Sequence, residues 1–308
     1  MRKNILTMAL AGALLAAPAA YAGDGFNYQI YGRLNVSLDL ENDSQADLTS
    51  NTSAVGIKGS QKLGDSGVKA IFKVEWQIDP TERNKNIVDR DQWIGLKGDF
   101  GKILAGTMTM NYKQTKYTDI MWRTNVQGRG FINTLSNLHS GAGNDRGRMT
   151  NTIQYQSPTM MGGLQVVGNV SFSDGKDDSY GIGLRYKTKE MIVWLDSFQD
   201  GQLEETAWKV GGSFKLGALK LGAQYEAAQE VTGYDYIQAS AAYKMDKKNT
   251  IKFQIGQADG VADNNTSWAL LFDHKLSKQV SMYAGYGSRD NDVAADVDLI
   301  TVGGVYKF

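Results

Sequence analysis

Apolar and polar residues alternate strictly along most of the chain. In LKLGAQYEA, Leu219, Leu221, Ala223, Tyr225 and Ala227 fall on one side and Lys220, Gln224 and Glu226 on the other, the period of two that marks a strand with one apolar face. IYGRLNVSLDL sets Ile30, Leu34, Val36, Leu38 and Leu40 against Arg33, Asn35, Ser37 and Asp39, and residues 68–78 and 250–255 repeat the pattern. No helical period competes over any long window. The alternation predicts about sixteen strands of roughly ten residues, the length a tilted membrane strand requires. They fall at 27–40, 52–63, 67–79, 88–98, 101–108, 148–157, 162–173, 179–187, 190–197, 205–215, 218–227, 234–244, 249–257, 266–275, 279–288 and 297–308.

The links between these segments alternate in character. LGDSG, GDFG, TKE, LGA, MDKKN and LSK are tight turns, whereas the intervening links are longer, polar and often acidic. A barrel with short turns at one end and elaborated loops at the other has this asymmetry, and an even strand number puts both chain ends on the short-turn side. One link differs from the rest: residues 109–147 show no alternation yet carry Trp122, Phe131, Ile132, Leu135 and Leu138. Loops of that length are functional or disordered, and its apolar content predicts packing, for which the barrel interior is the available place.

The first residues set the compartment. Arg2 and Lys3 precede an apolar run over 5–16 and an A-x-A site at Ala20, Tyr21 and Ala22, the order of a cleaved secretory signal peptide; the alternative, an anchor helix, needs about 20 apolar residues. The expected organisation is a signal peptide over 1–22 and one barrel domain over 23–308. The chain has no cysteine, which excludes a disulfide scaffold, and its 33 basic and 33 acidic residues exert no general pull toward nucleic acid. Alternation also fits a soluble antiparallel sandwich with one wet face, but sixteen strands would then form two or three domains, and no linker, composition shift or repeat divides the chain.

The order of motifs resembles the general trimeric porins of Gram-negative bacteria over nearly the whole mature chain. The resemblance is carried by YGRLNVSLD, SAVGIKGSQKLGDSGVKAIFKVEWQID, DRDQWIGLKGDFGKILAGTM, RMTNTIQYQSPTMMGGLQV, FDHKLSKQVSMYAGYGS and the terminal VGGVYKF. It implies an all-β transmembrane antiparallel barrel of sixteen strands, assembled as a homotrimer in outer-membrane lipid and lipopolysaccharide, with a third loop folded inward. It also implies passive diffusion of ions and small hydrophilic solutes, with no catalysis and no cofactor.

A sixteen-stranded barrel leaves an aqueous lumen, lined by the residues that alternate with the lipid-facing set. These include Arg33, Asn35, Ser37 and Asp39; Lys58 and Ser60; Lys69, Lys73, Glu75 and Gln77; Arg148, Thr150, Thr152 and Gln154; and Arg185, Lys187, Lys209, Lys220 and Lys252. Basic side chains outnumber acidic ones, and rings of Lys and Arg favour anions in a pore, so weak anion selectivity is expected; pairing with Asp39, Glu75 or Glu226 would instead leave it near neutral. The resemblance places the constriction at Arg33, Lys58, Lys73 and Arg148 on the wall, facing Asp119, Arg123 and Arg129 of the loop. The sequence departs from the family at Thr107, where an arginine is common, and between Tyr112 and Phe131 its loop sets Lys113, Lys116, Arg123 and Arg129 against the single Asp119. A channel with a specific site for a small anionic solute is the alternative, with Tyr31 and Tyr283 as lumen aromatics.

Other chemistry is thinly represented. The acidic external links (Glu41, Asp43 and Asp47; Asp174, Asp177 and Asp178; Asp200, Glu204 and Glu205; Asp290, Asp292, Asp296 and Asp298) are read as solvated loops, with hard divalent cations bridging lipopolysaccharide phosphates as the alternative. The two histidines offer poor material for a nucleophile–base pair: His274 falls on the lipid side near the short turns, and His139 stands beside Ser140 in the long link. The last strand, ITVGGVYKF, puts Ile300, Val302, Gly304, Tyr306 and Phe308 toward lipid and pairs with the first strand to remove both sheet edges. The resemblance adds that Tyr306 and Phe308 form a signal read by the outer-membrane insertion machinery.

Overall fold

The computed structural model describes residues 26–42, 44–83, 87–136, 138, 147–174, 177–261 and 263–308. The expected signal peptide, His139 and Ser140 lie outside the described residues. The strands are β1 (Phe26–Glu41), β2 (Asp47–Ser50), β3 (Ala54–Lys62), β4 (Lys69–Gln77), β5 (Val88–Gly98), β6 (Gly101–Thr109), β7 (Arg148–Gln156), β8 (Leu164–Ser171) and β9 (Ser179–Lys187). There follow β10 (Met191–Asp200), β11 (Glu205–Leu216), β12 (Leu219–Ala227), β13 (Tyr234–Lys244), β14 (Asn249–Gly260), β15 (Asn264–Lys275), β16 (Val280–Asn291) and β17 (Val297–Lys307). Two single-turn helices, α1 (Asn111–Gln114) and α2 (Gln229–Thr232), sit in links on the loop side.

Every strand pairs antiparallel with its sequence neighbour, and β1 closes the ring. Its outer half pairs with β17, from Arg33 opposite Lys307 to Glu41 opposite Leu299; its inner half pairs with β3, from Phe26 opposite Gln61 to Arg33 opposite Ala54. The short β2 covers the length of β1 that β3 leaves, pairing Val36 with Ser50 and Asp39 with Asp47. Thr52, with φ of 58°, turns the chain between the two pieces, so β2 and β3 are one interrupted staircase strand and the barrel has sixteen. The sequence expectation began this strand at residue 52 and did not foresee β2.

Closure leaves no strand edge and satisfies the backbone within the sheet, as a bilayer requires. The distribution of side chains is inverted relative to a water-soluble domain. Ile94, Leu38, Ile237 and Ile300 are 69%, 53%, 55% and 50% exposed on the outer face, while Asn35, Lys209, Gln224, Glu226, Gln238 and Gln254 are buried on the inner one. An apolar surface running round a barrel far exceeds the few hundred Å² a soluble monomer tolerates and matches a lipid-facing band.

The final residue completes the ring. The amide of Gly32 donates to the Phe308 carbonyl at 3.0 Å, and the Phe308 amide returns a bond to Gly32 at 3.1 Å. The Phe308 ring lies where a side chain at position 32 would stand, so any larger residue there would have to displace it. The Tyr306 ring lies 6.0 Å away, tilted by 33°, giving an aromatic pair at the short-turn edge of the outer face. His274 sits near the same edge, its Nδ1 2.7 Å from Asn249 Oδ1.

Candidate functional site

The long link after β6 lies against the polar, inner face of the barrel. It starts with α1, whose Asn111 amide donates to Asn169 Oδ1 at 3.0 Å and whose Nδ2 donates to Asp196 Oδ1 at 3.1 Å. Gly181 supplies the space: a Cβ there would overlap the Asn111 side chain. Wall side chains then bind the link's carbonyls one after another. Arg185 donates to Asn111 at 3.0 Å, Lys209 to Thr115 at 2.8 Å, Lys220 to Tyr117 at 3.1 Å, Gln238 to Thr118 at 2.9 Å and Asn35 to Arg123 at 2.6 Å. Further on, Thr134 donates to Gln238, Ser136 to Glu226, and Arg289 to the Phe131 carbonyl. Irregular backbone at membrane depth is tolerated where protein side chains satisfy it in this way.

Two apolar clusters press the same segment onto the wall. Tyr112 and Leu138 pack with Met110, Met149, Phe198, Ala207, Ala228, Tyr236 and Ala258; Met121, Val126 and Ile132 pack with Ala269, Leu271, Tyr283 and Leu299. Ile132, Leu135 and Leu138 are buried, as their apolar character predicts, while Trp122 and Phe131 stay partly open. Packing and wall bonds together fix the link as a second, inner surface.

Between that surface and β4–β7 lies a cavity of about 640 Å³. Its lining includes Lys73, Arg90, Lys102 and Arg148 from the wall and Lys113, Lys116, Arg123 and Arg129 from the link, against two carboxylates among the described residues, Glu75 and Asp91. Those carboxylates are already engaged. Asp91 accepts from Lys73 at 2.7 Å and from Arg148 at 2.8 Å; Glu75 accepts from Arg90 at 2.5 Å and from the Tyr31 hydroxyl at 3.0 Å, with Lys73 at 3.4 Å. The wall patch therefore keeps a positive excess of two charges, and the larger excess, four, belongs to the link.

On the link, the Lys116 ammonium sits 3.8 Å from the centre of the Trp122 ring, a cation–π contact. Burial, reinforced by Arg129 and Arg123, pushes its pKa down to about 7. Arg129 donates to the carbonyls of Lys113 and Thr115, and Arg123 holds a left-handed backbone, φ 69°. Asp119 is turned into the link's interior: it is buried, accepts the Gly128 amide at 3.0 Å, and burial raises its carboxyl above the usual range.

Of the residues picked out from sequence, Lys73, Glu75, Arg123, Arg129 and Arg148 meet at this cavity. Arg33 is buried beside it on β1, with Nε and one terminal nitrogen making no hydrogen bond among the described residues. Lys58 shares the inner row with Lys73 but stands exposed, 5.0 Å above the Tyr31 ring. Tyr283 bridges Asn35 and Asn51 through its hydroxyl, a structural placement. Thr150 departs from its expected place: it is exposed, and its neighbour Met149 is the buried residue. An extra residue at Asn151, φ 55°, shifts the β6–β7 register between Gly106 and Met108 and reverses the alternation.

Arg90 and Asp91, central to the ion network, were not picked out from sequence. Strict alternation places one of two adjacent residues outside, but the β4–β5 register shifts between Val74 and Trp76, so both stand opposite Glu75 and turn inward. The sequence signal is DRDQW, a charged triplet on a strand otherwise half apolar. Among the described residues, no group of three or more His, Cys, Asp or Glu converges as metal ligands would, the acidic links included.

Residues 7–294 match the family model for the Gram-negative porin. The major outer membrane protein P.IB of Neisseria meningitidis serogroup B / serotype 15 (strain H44/76) is 23% identical over 334 residues, covering 100% of this chain and 89% of that protein. P.IB of Neisseria gonorrhoeae is 24% identical over 204 residues, 61% of this chain and 54% of that protein. Among solved structures, an anion-selective porin from Comamonas acidovorans superposes with a TM-score of 0.78 at 18% identity, covering 92% of this chain and 100% of that one. The trimer form of OmpT of Vibrio cholerae gives 0.70 at 15% identity, with coverage of 92% and 100%. A closed sixteen-stranded barrel with a lipid-facing exterior, a charged lumen and a family match over most of its length belongs to the Gram-negative porins: the chain is an outer-membrane channel and not an enzyme.

Proposed function

We propose that the channel is weakly anion-selective, and that the cations of the inward link set this preference. The observation that carries it is the division of charge around the cavity: Glu75 and Asp91 offset two of the four wall cations, Lys73, Arg90, Lys102 and Arg148, whereas Lys113, Lys116, Arg123 and Arg129 face it with no lining carboxylate among the described residues of the link. Confined positive charge in low-dielectric walls concentrates anions and repels cations. The link acts as the constriction, fixed by its wall bonds and two apolar clusters. The chain works as a homotrimer, in keeping with the trimer form of the OmpT neighbour, and Tyr306 with Phe308 supports assembly through the closing strand. The test is the reversal potential of reconstituted channels in a salt gradient: an anion-selective sign is expected, and a cation-selective sign overturns the reading.

One observation favours a second reading, a channel with a site for a particular small anionic solute. Among the described residues, two guanidinium nitrogens of the buried Arg33 and the buried Nε of Arg123 find no hydrogen-bond partner; such groups are costly unless an anion or water meets them. Saturable block of the ion current by one organic anion, and by no other of equal charge, is the outcome that would establish it.

A further inference from the structure

The short-turn mouth of the lumen carries a charge arrangement that the constriction does not explain. Lys62 stands directly opposite Lys69, Lys69 opposite Lys97, and Lys97 opposite Lys102, so four lysines form one unbroken row across β3, β4, β5 and β6. Residues directly opposed in a sheet point to the same face, and Lys102 lines the lumen cavity; the whole row therefore faces the lumen. Strands are spaced about 4.8 Å apart, which gives the row a span of about 14 Å.

Like charges directly opposite one another destabilise a sheet, and this row holds three such pairs in succession. Asp65 and Asp99 stand in the two turns that join these strands, but neither forms an ion pair with the row. Among the described residues, no carboxylate lies within ion-pair distance of any of the four; Lys102 has only the Gln156 side chain, at 3.4 Å. The inner-face carboxylate of β4, Glu75, is six residues along the strand from Lys69, about 20 Å away, and is held by Arg90 and Tyr31. Lys62, Lys69 and Lys97 are exposed to the mouth, so their ammonium groups are hydrated and accessible. Across the ring, Lys215 opposes Lys220 in the same manner.

We propose that Lys62, Lys69, Lys97 and Lys102 form a docking row for a linear multivalent oxyanion at the short-turn mouth, running from the exposed rim to the lumen cavity at Lys102. An anion carrying three or more charges a few ångströms apart meets several ammonium groups at once and relieves their mutual repulsion, whereas a monovalent anion meets one or two. The row faces the lumen, so the ligand is a solute and not a lipid headgroup. The lysines are mobile point charges with no planar partner, which suits oxyanions held by charge and spacing more than by shape. The consequence is sidedness: multivalent anions are held at one mouth of the channel while chloride passes.

The inference rests on the channel identity and is independent of the sign of selectivity. Its test is block of single-channel current by inorganic tripolyphosphate added to one chamber at a time. Orientation is fixed with Val293→Cys in an external link, where the residue is 75% exposed, biotinylated so that streptavidin docks from the loop side alone; the native chain has no cysteine to confuse the label. Half-block from the short-turn side is expected at a concentration about tenfold lower than from the loop side, with the difference shrinking as salt screens the row. Lys69→Gln/Lys97→Gln should remove the difference while leaving conductance in 1 M KCl unchanged, since both side chains are exposed. Equal block from the two sides, or unaltered block in the double variant, overturns the docking row; failure of the protein to form any pores would instead strike at the channel itself.

Discussion

Replacing Lys209 with methionine should loosen the inward link without unfolding the barrel. Lys209 is fully buried on β11, between Asp196 of β10 and Glu226 of β12, to which it is directly paired in register. Its ammonium donates to the Thr115 carbonyl at 2.8 Å and lies 4.2 Å from the Tyr112 ring centre, so one side chain ties two strands to the link. Methionine keeps most of the volume and removes the charge. Loss of a charged hydrogen bond costs about 1.5–3 kcal/mol, and leaving buried carboxylates without their cation raises the figure to about 3–5 kcal/mol. Arg185, 3.8 Å from Asp196, covers part of the deficit, which puts the expected cost near the lower bound of about 3 kcal/mol. That corresponds to roughly a hundredfold rise in the population with the link detached.

The readout is single-channel recording combined with limited proteolysis of the folded barrel. Lys209→Met should give larger, noisier openings and cleavage at Lys113 or Lys116 under conditions that leave the parent intact. Glu226→Gln added to Lys209→Met should recover part of the loss, because removing both charges of a buried set is far less costly than removing one. Conductance, noise and protease resistance all equal to the parent's would refute the idea that this charge holds the link.

Deleting Phe308 removes the ring over Gly32 and both terminal ladder bonds; the folded fraction after refolding, read as heat-modifiable migration in electrophoresis, should fall severalfold, and an unchanged yield would reduce the residue to passive packing. Anion preference should decline as pH rises through about 7, because Lys116 is protonated below its lowered pKa and neutral above it; a reversal potential flat from pH 6 to pH 8 contradicts this, and Lys116→Arg should make it flat. Asp91→Asn frees Lys73 and Arg148 from their shared carboxylate and removes a negative charge, so the channel should become more anion-selective; no shift would show that the wall patch is screened from the permeating ions.

The barrel was legible in the sequence because two solvents impose one rule. Lipid outside and water inside force a period of two on every strand, as in β12, where Tyr225 is exposed and Gln224 and Glu226 are buried. Reading failed where the backbone breaks that period. The extra residues near Asn151 and opposite Glu75 cost Thr150 its expected place and hid Arg90 and Asp91. The four residues of β2 were too short and too polar to register as alternation. For the link, apolar composition announced packing but not direction: Asp119 and Arg123, four residues apart, end respectively in the link's interior and on the cavity. The lysine row likewise needed the register, because Lys62, Lys69, Lys97 and Lys102 become neighbours only once four strands are aligned.

The most direct test of selectivity set by the link is the reversal potential, in one salt gradient at pH 6, of the parent, of Lys113→Gln/Lys116→Gln/Arg123→Gln, and of the wall variant Lys73→Gln. The parent should be anion-selective, the link variant, which removes three positive charges, should move to near-neutral or cation-selective values, and the wall variant, which removes one, should move less. A parent that favours cations, or a link variant as anion-selective as the parent, would contradict it.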